Sequence, residues 1–300
     1  MVTRTAPPVP AARVKRRRTN PDTVIGRRSR GSTLIFNTIG LIFAAVVGFP
    51  VYWMINTAFK PANEVQTFTP HFFPNHPTLS NFTSALHAKD FVTDLKNSLI
   101  ITISAVAFGL LFGFLGALAI ARFRFYGKRA LILVILLVQM VPFLALLIPL
   151  YLMLNGFHLT DSLLGITIVY LIVVLPYTVW MLRGFIVNIP KELDEAAMVD
   201  GCSRWQTFYR IILPLTGPGL VAASIYSFIQ AWNEFIIIYT LNDADKWNLM
   251  AWLALNQGMR GIAWGPMMAG ATIAAIPVVV LFLIIQRHVA TGLTAGAVKG

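Results

Sequence analysis

The sequence predicts an all-α membrane protein whose chain crosses the bilayer six times. Hydrophobic residues make up 57% of the 300 residues, charged residues only 12%, and the mean hydropathy is +0.70, which excludes an ordinary soluble domain. Six apolar segments each come close to the ~20 residues that a helix needs to cross a ~30 Å hydrocarbon core. None alternates apolar and polar residues as the strands of a membrane β-barrel do.

The predicted spans are joined by loops of unequal length. The spans cover residues 33–57, 98–121, 130–153, 162–182, 219–241 and 267–286. Two sizeable loops, 58–97 and 242–266, lie on the side opposite the termini. We therefore expect one membrane domain over residues 33–291, a tail over 1–32 before it and a short tail over 292–300 after it.

Proline and glycine residues within the spans predict bends and close helix contacts. Prolines 50, 142, 149, 176 and 277 favour kinks within or near spans. Gly109, Gly113 and Gly116 in the second span leave room for another helix to approach closely.

The distribution of basic residues predicts the orientation. Nine Lys and Arg residues precede residue 31, and four more lie in the 122–129 turn. Nineteen of the 24 bases lie on the side of the termini and five on the other, which puts both termini in the cytoplasm. Because the bases flank spans and form no folded basic domain, we expect no nucleic-acid partner. The basic N-terminal tail is expected to be disordered and to touch membrane lipid.

A polar segment, residues 188–216, interrupts the apolar spans on the cytoplasmic side. Three acidic residues near its start, Glu192, Asp194 and Glu195, suit a helix N-terminus. Gly201 predicts a break, and Ser203 with Gln206 has the spacing of a capping box. Pro214 is expected to end the second helix. The segment, called the knob below, is thus a predicted helix–turn–helix. The amphipathic pattern alone also fits an interfacial loop lying in the headgroups.

The letters of the knob resemble the EAA loop of binding-protein-dependent ABC importer permeases. In that family this loop is the coupling helix that docks in a groove of a cytoplasmic ATPase subunit. The resemblance implies that the coupling residues here are Glu195, Ala196, Ala197, Asp200, Gly201, Phe208, Leu213 and Pro214.

Two further stretches, 231–235 and 292–300, resemble the carbohydrate-uptake branch of these permeases, and in particular the smaller six-span membrane subunit of maltose-type importers. This implies a type I ABC importer permease fold in the plasma membrane of a prokaryote, moving a sugar, most simply a di- or oligosaccharide. A sugar-phosphate or a polyol is the alternative substrate. The resemblance also implies that the C-terminal tail reaches between the ATPases through Gly292, Thr294, Gly296 and Lys299.

The resemblance further implies a complex with a second homologous permease subunit, two ATP-binding subunits and an extracytoplasmic sugar-binding protein, which the 242–266 loop would touch. The chain has no GxxxxGK[ST] phosphate loop, no HExxH and no paired cysteines. We therefore expect no enzyme activity, no metal and no cofactor in this chain, with ATP and Mg²⁺ bound by the partner ATPase.

Polar residues in the fifth span are the candidates for the translocation path: Gln230, Trp232, Asn233 and Glu234. An ionisable group in a span is costly to expose to lipid and is a functional candidate for that reason. Glu234 is also compatible with a carboxylate that only fixes helix packing. A self-contained secondary transporter driven by protons through Glu234 is the main alternative to the importer, and a membrane scaffold without transport explains less of the sequence.

Overall fold

A computed structural model of the protein describes the backbone of residues 30–255 and 263–297, and the side chains of residues 33–255 and 263–286. The described residues are helical or irregular and contain no β-strand. The chain divides into two units, one ending at Pro50 and the other beginning at Val51. The predicted basic tail lies outside the described residues, apart from the helical backbone of 30–32.

The α-helices of the described residues follow one another with short connections. In chain order they are α1 (Arg30–Ala58), α2 (Ala62–Val65), α3 (Ser80–Leu86), α4 (Phe91–Arg122), α5 (Lys128–Met140), α6 (Leu147–Gly156), α7 (Leu163–Val187), α8 (Lys191–Val199), α9 (Arg204–Thr207), α10 (Leu213–Leu215), α11 (Gly217–Asn233), α12 (Ile236–Leu241), α13 (Leu249–Leu255) and α14 (Trp264–Ala297). Phe143–Leu146 and Ala244–Lys246 are 3₁₀ turns, and Phe208–Ile212 is a π turn.

Four helices of the described residues are long and apolar enough to cross a membrane: α1, α4, α7 and α14. Two bent helix pairs also qualify, and these are Lys128–Met140 with Phe143–Gly156, bent by 97°, and Arg204–Leu215 with Gly217–Asn233, bent by 69°. Counting each pair as one span gives six. The predicted all-α, six-span class is confirmed.

The third span is broken, so the prediction of one helix over 130–153 is wrong in its continuity. Helix α5 ends at Met140, and Val141 is extended with ψ 125°. The cause is Pro142, because a residue before proline avoids the helical region and proline itself donates no hydrogen bond. Pro142 was predicted to bend the chain, and it does.

The fifth span is also broken, so the prediction of one helix over 219–241 is wrong at Glu234. Helix α11 ends at Asn233, Glu234 is extended (φ −77°, ψ 126°), and α12 begins at Ile236. Hydrogen bonds from other parts of the chain take the place of helical ones here, as described below.

The last helix is longer than predicted. It continues through Ala297, although the span was expected to end near residue 286 and a separate tail to begin at residue 292. Alanines 290, 295 and 297 and Leu293 favour helix there, and no proline interrupts them.

Helices α4 and α7 cross at the predicted glycines. A Cβ added at Gly113 would lie 2.5 Å from Cγ2 of Thr178, and one at Gly109 would lie 2.9 Å from Cγ1 of Val174. These two positions therefore hold glycine because the α7 side chains occupy the space of a larger residue.

The knob end of the bundle has its own apolar core. It is built from α4, α7, the knob and α11, and its buried members are Phe114, Ala117, Leu182, Ile186, Ile189, Ile212 and Ala223. The knob thus packs directly on the ends of α4, α7 and α11.

Candidate functional site

The knob forms the predicted helix–turn–helix. Glu192 and Asp194 lie in the first turn of α8, where the helix dipole favours negative charge. Gly201 follows the helix with φ +87°, and the amides of Asp200 and Cys202 donate 2.9 Å bonds to the carbonyls of Ala196 and Ala197. The turn therefore depends on a residue that adopts the left-handed region at little cost.

The second half of the knob starts with the predicted capping box. The amide of Ser203 donates to Oε1 of Gln206 at 2.7 Å, and the amide of Gln206 donates to Oγ of Ser203 at 3.2 Å. The π turn Phe208–Ile212 follows, and the helical segment ends at Leu215, one residue after Pro214, the residue expected to end it. Because Pro214 has no amide hydrogen, a regular α-helix cannot be kept through this turn.

The predicted coupling residues divide into an outward and an inward set. Glu195, Ala196, Asp200, Gly201 and Pro214 are exposed, whereas Ala197 is buried and Phe208 and Leu213 are half-buried. The ring of Phe208 lies 5.5 Å from the ring of Phe114 on α4. The inward set therefore holds the knob on the spans, and the outward set is free to meet another surface.

One residue that the sequence did not single out links the knob to α4. Nε of Arg122, the last residue of α4, lies 2.7 Å from Oδ2 of Asp194, and the guanidinium also donates to the Ile189 carbonyl at 3.0 Å. The side chains of Arg122 and Asp194 are only 8% and 17% exposed. Among the described residues, Arg122 makes every side-chain polar contact between the knob and the spans. The sequence did not mark Arg122 as a functional residue, because a basic residue at the end of a span is usually explained by the orientation of the chain in the membrane.

A cavity of about 290 Å³ lies beside this ion pair. It is lined by Arg122, Arg124 and Arg204, and Asp194 is the only acid among its lining residues. The knob therefore does not pack solidly along its whole length, and the ion pair bridges a gap between α8 and the end of α4.

Glu234 lies at the break in the fifth span. Its carbonyl accepts hydrogen bonds from the Tyr170 hydroxyl at 3.1 Å and from the Asn248 amide. Its carboxylate accepts from the amide of Ile237 at 3.1 Å and so caps α12. The side chain thus has a defined structural partner, which favours the interpretation that Glu234 fixes the packing of the broken helix.

Three of the four path candidates line one cavity, and Trp232 does not. Trp232 is 1% exposed and stacks on Phe228 in a core cluster, so it is a packing residue. Gln230 and Asn233 are exposed and line, with Glu234, a cavity of about 130 Å³. That is small for a ligand site of the usual ~300–1,000 Å³. Of the four candidates, Trp232 alone is buried away from this cavity, and the assignment of the other three to the path stays a prediction.

The C-terminal candidates lie mostly outside what the structure describes. Gly292, Thr294 and Gly296 belong to the helical backbone of α14, their side-chain surroundings are not described, and Lys299 lies outside the described residues. Within residues 33–255 and 263–286, no three His, Cys, Asp or Glu side chains are grouped to hold a metal.

Known proteins resemble this chain over most of its length. Residues 105–294 match the family described as binding-protein-dependent transport system inner membrane component. The diacetylchitobiose uptake system permease protein DasC of Streptomyces coelicolor is 42% identical over 92% of this chain and 99% of its own. The trehalose transport system permease protein SugB of Mycobacterium tuberculosis is 34% identical over 85% of this chain and 94% of its own. A chain of a bacterial ABC transporter involved in the import of alginate has the same fold, with TM-score 0.74 and 23% identity, covering 88% of this chain and 99% of that one.

Proposed function

This chain belongs to the family of binding-protein-dependent transport system inner membrane components, and we propose that it is one of two permease subunits of an ATP-driven importer of a di- or oligosaccharide. The similarity to permeases named for diacetylchitobiose and trehalose uptake supports a sugar substrate. An extracytoplasmic binding protein delivers the sugar, and two ATPase subunits bind ATP and Mg²⁺ and hydrolyse the nucleotide. Both termini and the knob face the cytoplasm, as the distribution of basic residues favours.

The observation that carries the proposal is the arrangement of the knob. Its outward set, which includes Glu195, Ala196 and Gly201, offers small and acidic groups to a partner. Behind them, Asp194 on the same short helix is held by Arg122 at the end of the 32-residue α4. A displacement of α8 by an ATPase would therefore pull directly on a helix that runs the length of the bundle. This is how ATP hydrolysis elsewhere in the complex reaches the transport pathway.

The translocation path is shared with the second permease subunit. The cavity beside Gln230, Asn233 and Glu234 is too small to enclose a disaccharide. We therefore assign it to one wall of a path whose opposite wall belongs to the partner permease. Gln230 and Asn233 are exposed beside the break at Glu234, and their amide groups can exchange hydrogen bonds with sugar hydroxyls.

Proton-driven transport through Glu234 is the alternative mechanism. A proton carrier must release and rebind its proton in each cycle, whereas this carboxylate caps α12 through the Ile237 amide. Proton-driven transport also gives the exposed residues of the knob no function.

Reconstitution tests the proposal. The permease pair and its ATPase are purified, placed in proteoliposomes with ATP inside, and supplied with the sugar-loaded binding protein outside. We expect sugar uptake that needs both ATP and the binding protein and that ignores a protonophore. Uptake by this chain alone, driven by a pH gradient, would overturn the proposal. Screening the binding protein against oligosaccharides, sugar-phosphates and polyols then identifies the substrate class.

A further inference from the structure

A third cavity, of about 250 Å³, lies at the end of the bundle opposite the knob. Its walls include the carboxylates of Asp90 and Asp94 and the indole rings of Trp247 and Trp252. Two hydrogen bonds fix this arrangement: Nδ2 of Asn97 donates to the Trp247 carbonyl at 2.8 Å, and the Leu249 amide donates to Oγ of Ser98 at 2.7 Å. The start of α4 and the segment before α13 are therefore held together around the cavity.

Asp94 is an unusual member of this wall. It is 1% exposed, and its Oδ1 atom has no hydrogen-bond partner among the described residues. Asp90 lies one turn earlier and adds a second negative charge. Lys89 also lines the cavity, but its side chain is 93% exposed and pairs at 3.9 Å with Asp90 only, which leaves Asp94 unpaired. A buried carboxylate without a donor is costly unless something else pairs with it.

Apart from the exposed ammonium group of Lys89, the side chains that line the cavity offer carboxylate acceptors and aromatic faces, and their indole N–H donors are already used. The indole N–H of Trp247 already donates to the Asn242 carbonyl at 3.1 Å, and that of Trp252 donates to the Lys89 carbonyl at 3.2 Å. A neutral sugar would need donors as well as acceptors for its hydroxyls, and it would leave the repulsion between Asp90 and Asp94 in place. An ammonium or guanidinium group carries only donors, neutralises carboxylates and is attracted to indole faces.

We propose that this cavity receives a lysine or arginine side chain of the extracytoplasmic binding protein when that protein docks on the permease. The proposal rests on the proposed function, which supplies the binding protein and the orientation. The occupant is argued from charge complementarity, because a cationic side chain of the binding protein supplies the hydrogen-bond donor that Asp94 lacks. Docking is then strengthened by an ion pair that water cannot easily screen.

The test measures the affinity of the sugar-loaded binding protein for the complete transporter in nanodiscs. Wild-type transporter must first bind it and respond with ATP hydrolysis, and failure at this step counts against the proposed function and not against the cavity. Asp94→Asn and Asp90→Asn should each weaken binding, Asp94→Asn by about tenfold or more, as is typical of a central charged contact. Asp161→Asn is the matched control, because Asp161 lies outside both the cavity lining and the 242–266 loop, and the amide oxygen still accepts from the Asp243 amide. Complex assembly and basal ATP hydrolysis show whether each variant is folded.

A charge-reversal experiment identifies the cation. Replacing each exposed base of the binding protein by Glu should find one variant whose defect does not add to that of Asp94→Asn. Combined with Asp94→Lys, that variant should recover part of the lost affinity. Unchanged affinity of folded Asp94→Asn and Asp90→Asn transporters would overturn the proposal. So would a defect confined to the KM for sugar at saturating binding protein, which would indicate a sugar site. The proposal would also be overturned if the defect of Asp94→Asn were non-additive with that of Arg260→Ala of this chain and additive with every charge reversal in the binding protein. That result would mean that Arg260 supplies the cation.

Discussion

Nε of Arg122, at the end of α4, lies 2.7 Å from Oδ2 of Asp194 in the first turn of α8, and both side chains are largely buried. The pair joins α8, the helix that we propose to meet the ATPase, to α4, which is long and apolar enough to cross the membrane. Because the neighbouring cavity leaves few other contacts on that side, we expect coupling to depend on this one polar link.

Asp194→Asn is expected to reduce sugar uptake more than it reduces assembly. The amide keeps the size of the side chain but leaves the largely buried charge of Arg122 unpaired, and breaking a buried pair costs about 3–5 kcal/mol at most. Uptake in cells and stimulation of ATP hydrolysis by the loaded binding protein are the measurements. Glu192→Gln, an exposed acid in the same turn, is the control and should retain both. Equal activity of the two variants would contradict this role.

Substitutions at Gly201 should follow the cost of a positive φ and not the size of the side chain. A Cβ added at Gly201 would meet no atom within 4 Å, so the penalty is conformational. We expect Gly201→Asn to keep the most uptake, Gly201→Ala less and Gly201→Pro the least. Asn tolerates the left-handed region, Ala adopts it at a cost of about 1–2 kcal/mol, and Pro cannot adopt it. If uptake instead fell in the order of side-chain volume, the available space, and not the positive φ, would determine which residues the turn accepts.

Charge reversal at Glu195 tests the outward set directly. Glu195→Lys is expected to abolish uptake and ATPase association while leaving membrane insertion intact, because the side chain is exposed and contacts no partner that folding needs. Co-purification of the ATPase measures the effect. Normal ATPase recovery with normal uptake would exclude Glu195 from the docking surface.

Glu234→Gln is expected to retain most of the uptake. The amide oxygen still accepts from the Ile237 amide, so the cap of α12 survives the loss of charge. Uptake is measured with and without a protonophore at constant ATP. A collapse of uptake in Glu234→Gln, together with sensitivity of the wild type to the protonophore, would support proton-driven transport.

Gly113→Ala is expected to destabilise the bundle. The new Cβ would lie 2.5 Å from Cγ2 of Thr178, and overpacking of this kind costs about 1–3 kcal/mol. Gly184→Ala on α7 is the matched control, because a Cβ there meets nothing within 4 Å and alanine favours helix. The melting temperature in detergent should fall for the first variant only. Equal melting temperatures would mean that the helices can separate slightly without cost.

The sequence predicted what depends on local pattern. Apolar length identified the six spans, Pro142 identified one break, and the spacing of Ser203 and Gln206 identified the capping box. The break at Glu234 could not be predicted, because Tyr170 and Asn248, which stabilise it, lie far from it along the chain. Trp232 was assigned to the path because it stands among polar residues, yet stacking on Phe228 places it in the core.

Arg122 was missed for a similar reason. Its partner Asp194 lies two spans later in the sequence, and only the packing of the knob against α4 brings the two charges together.

A charge-swap cycle at Arg122 and Asp194 tests the central claim most directly. Stimulation of ATP hydrolysis by the loaded binding protein is measured in proteoliposomes for Arg122→Asp, Asp194→Arg and the double variant. If the pair transmits the movement of α8 to α4, each single variant loses stimulation and the double variant recovers a substantial part of it. If both single variants keep full stimulation while remaining folded and assembled, the ion pair does not couple the ATPase to the spans.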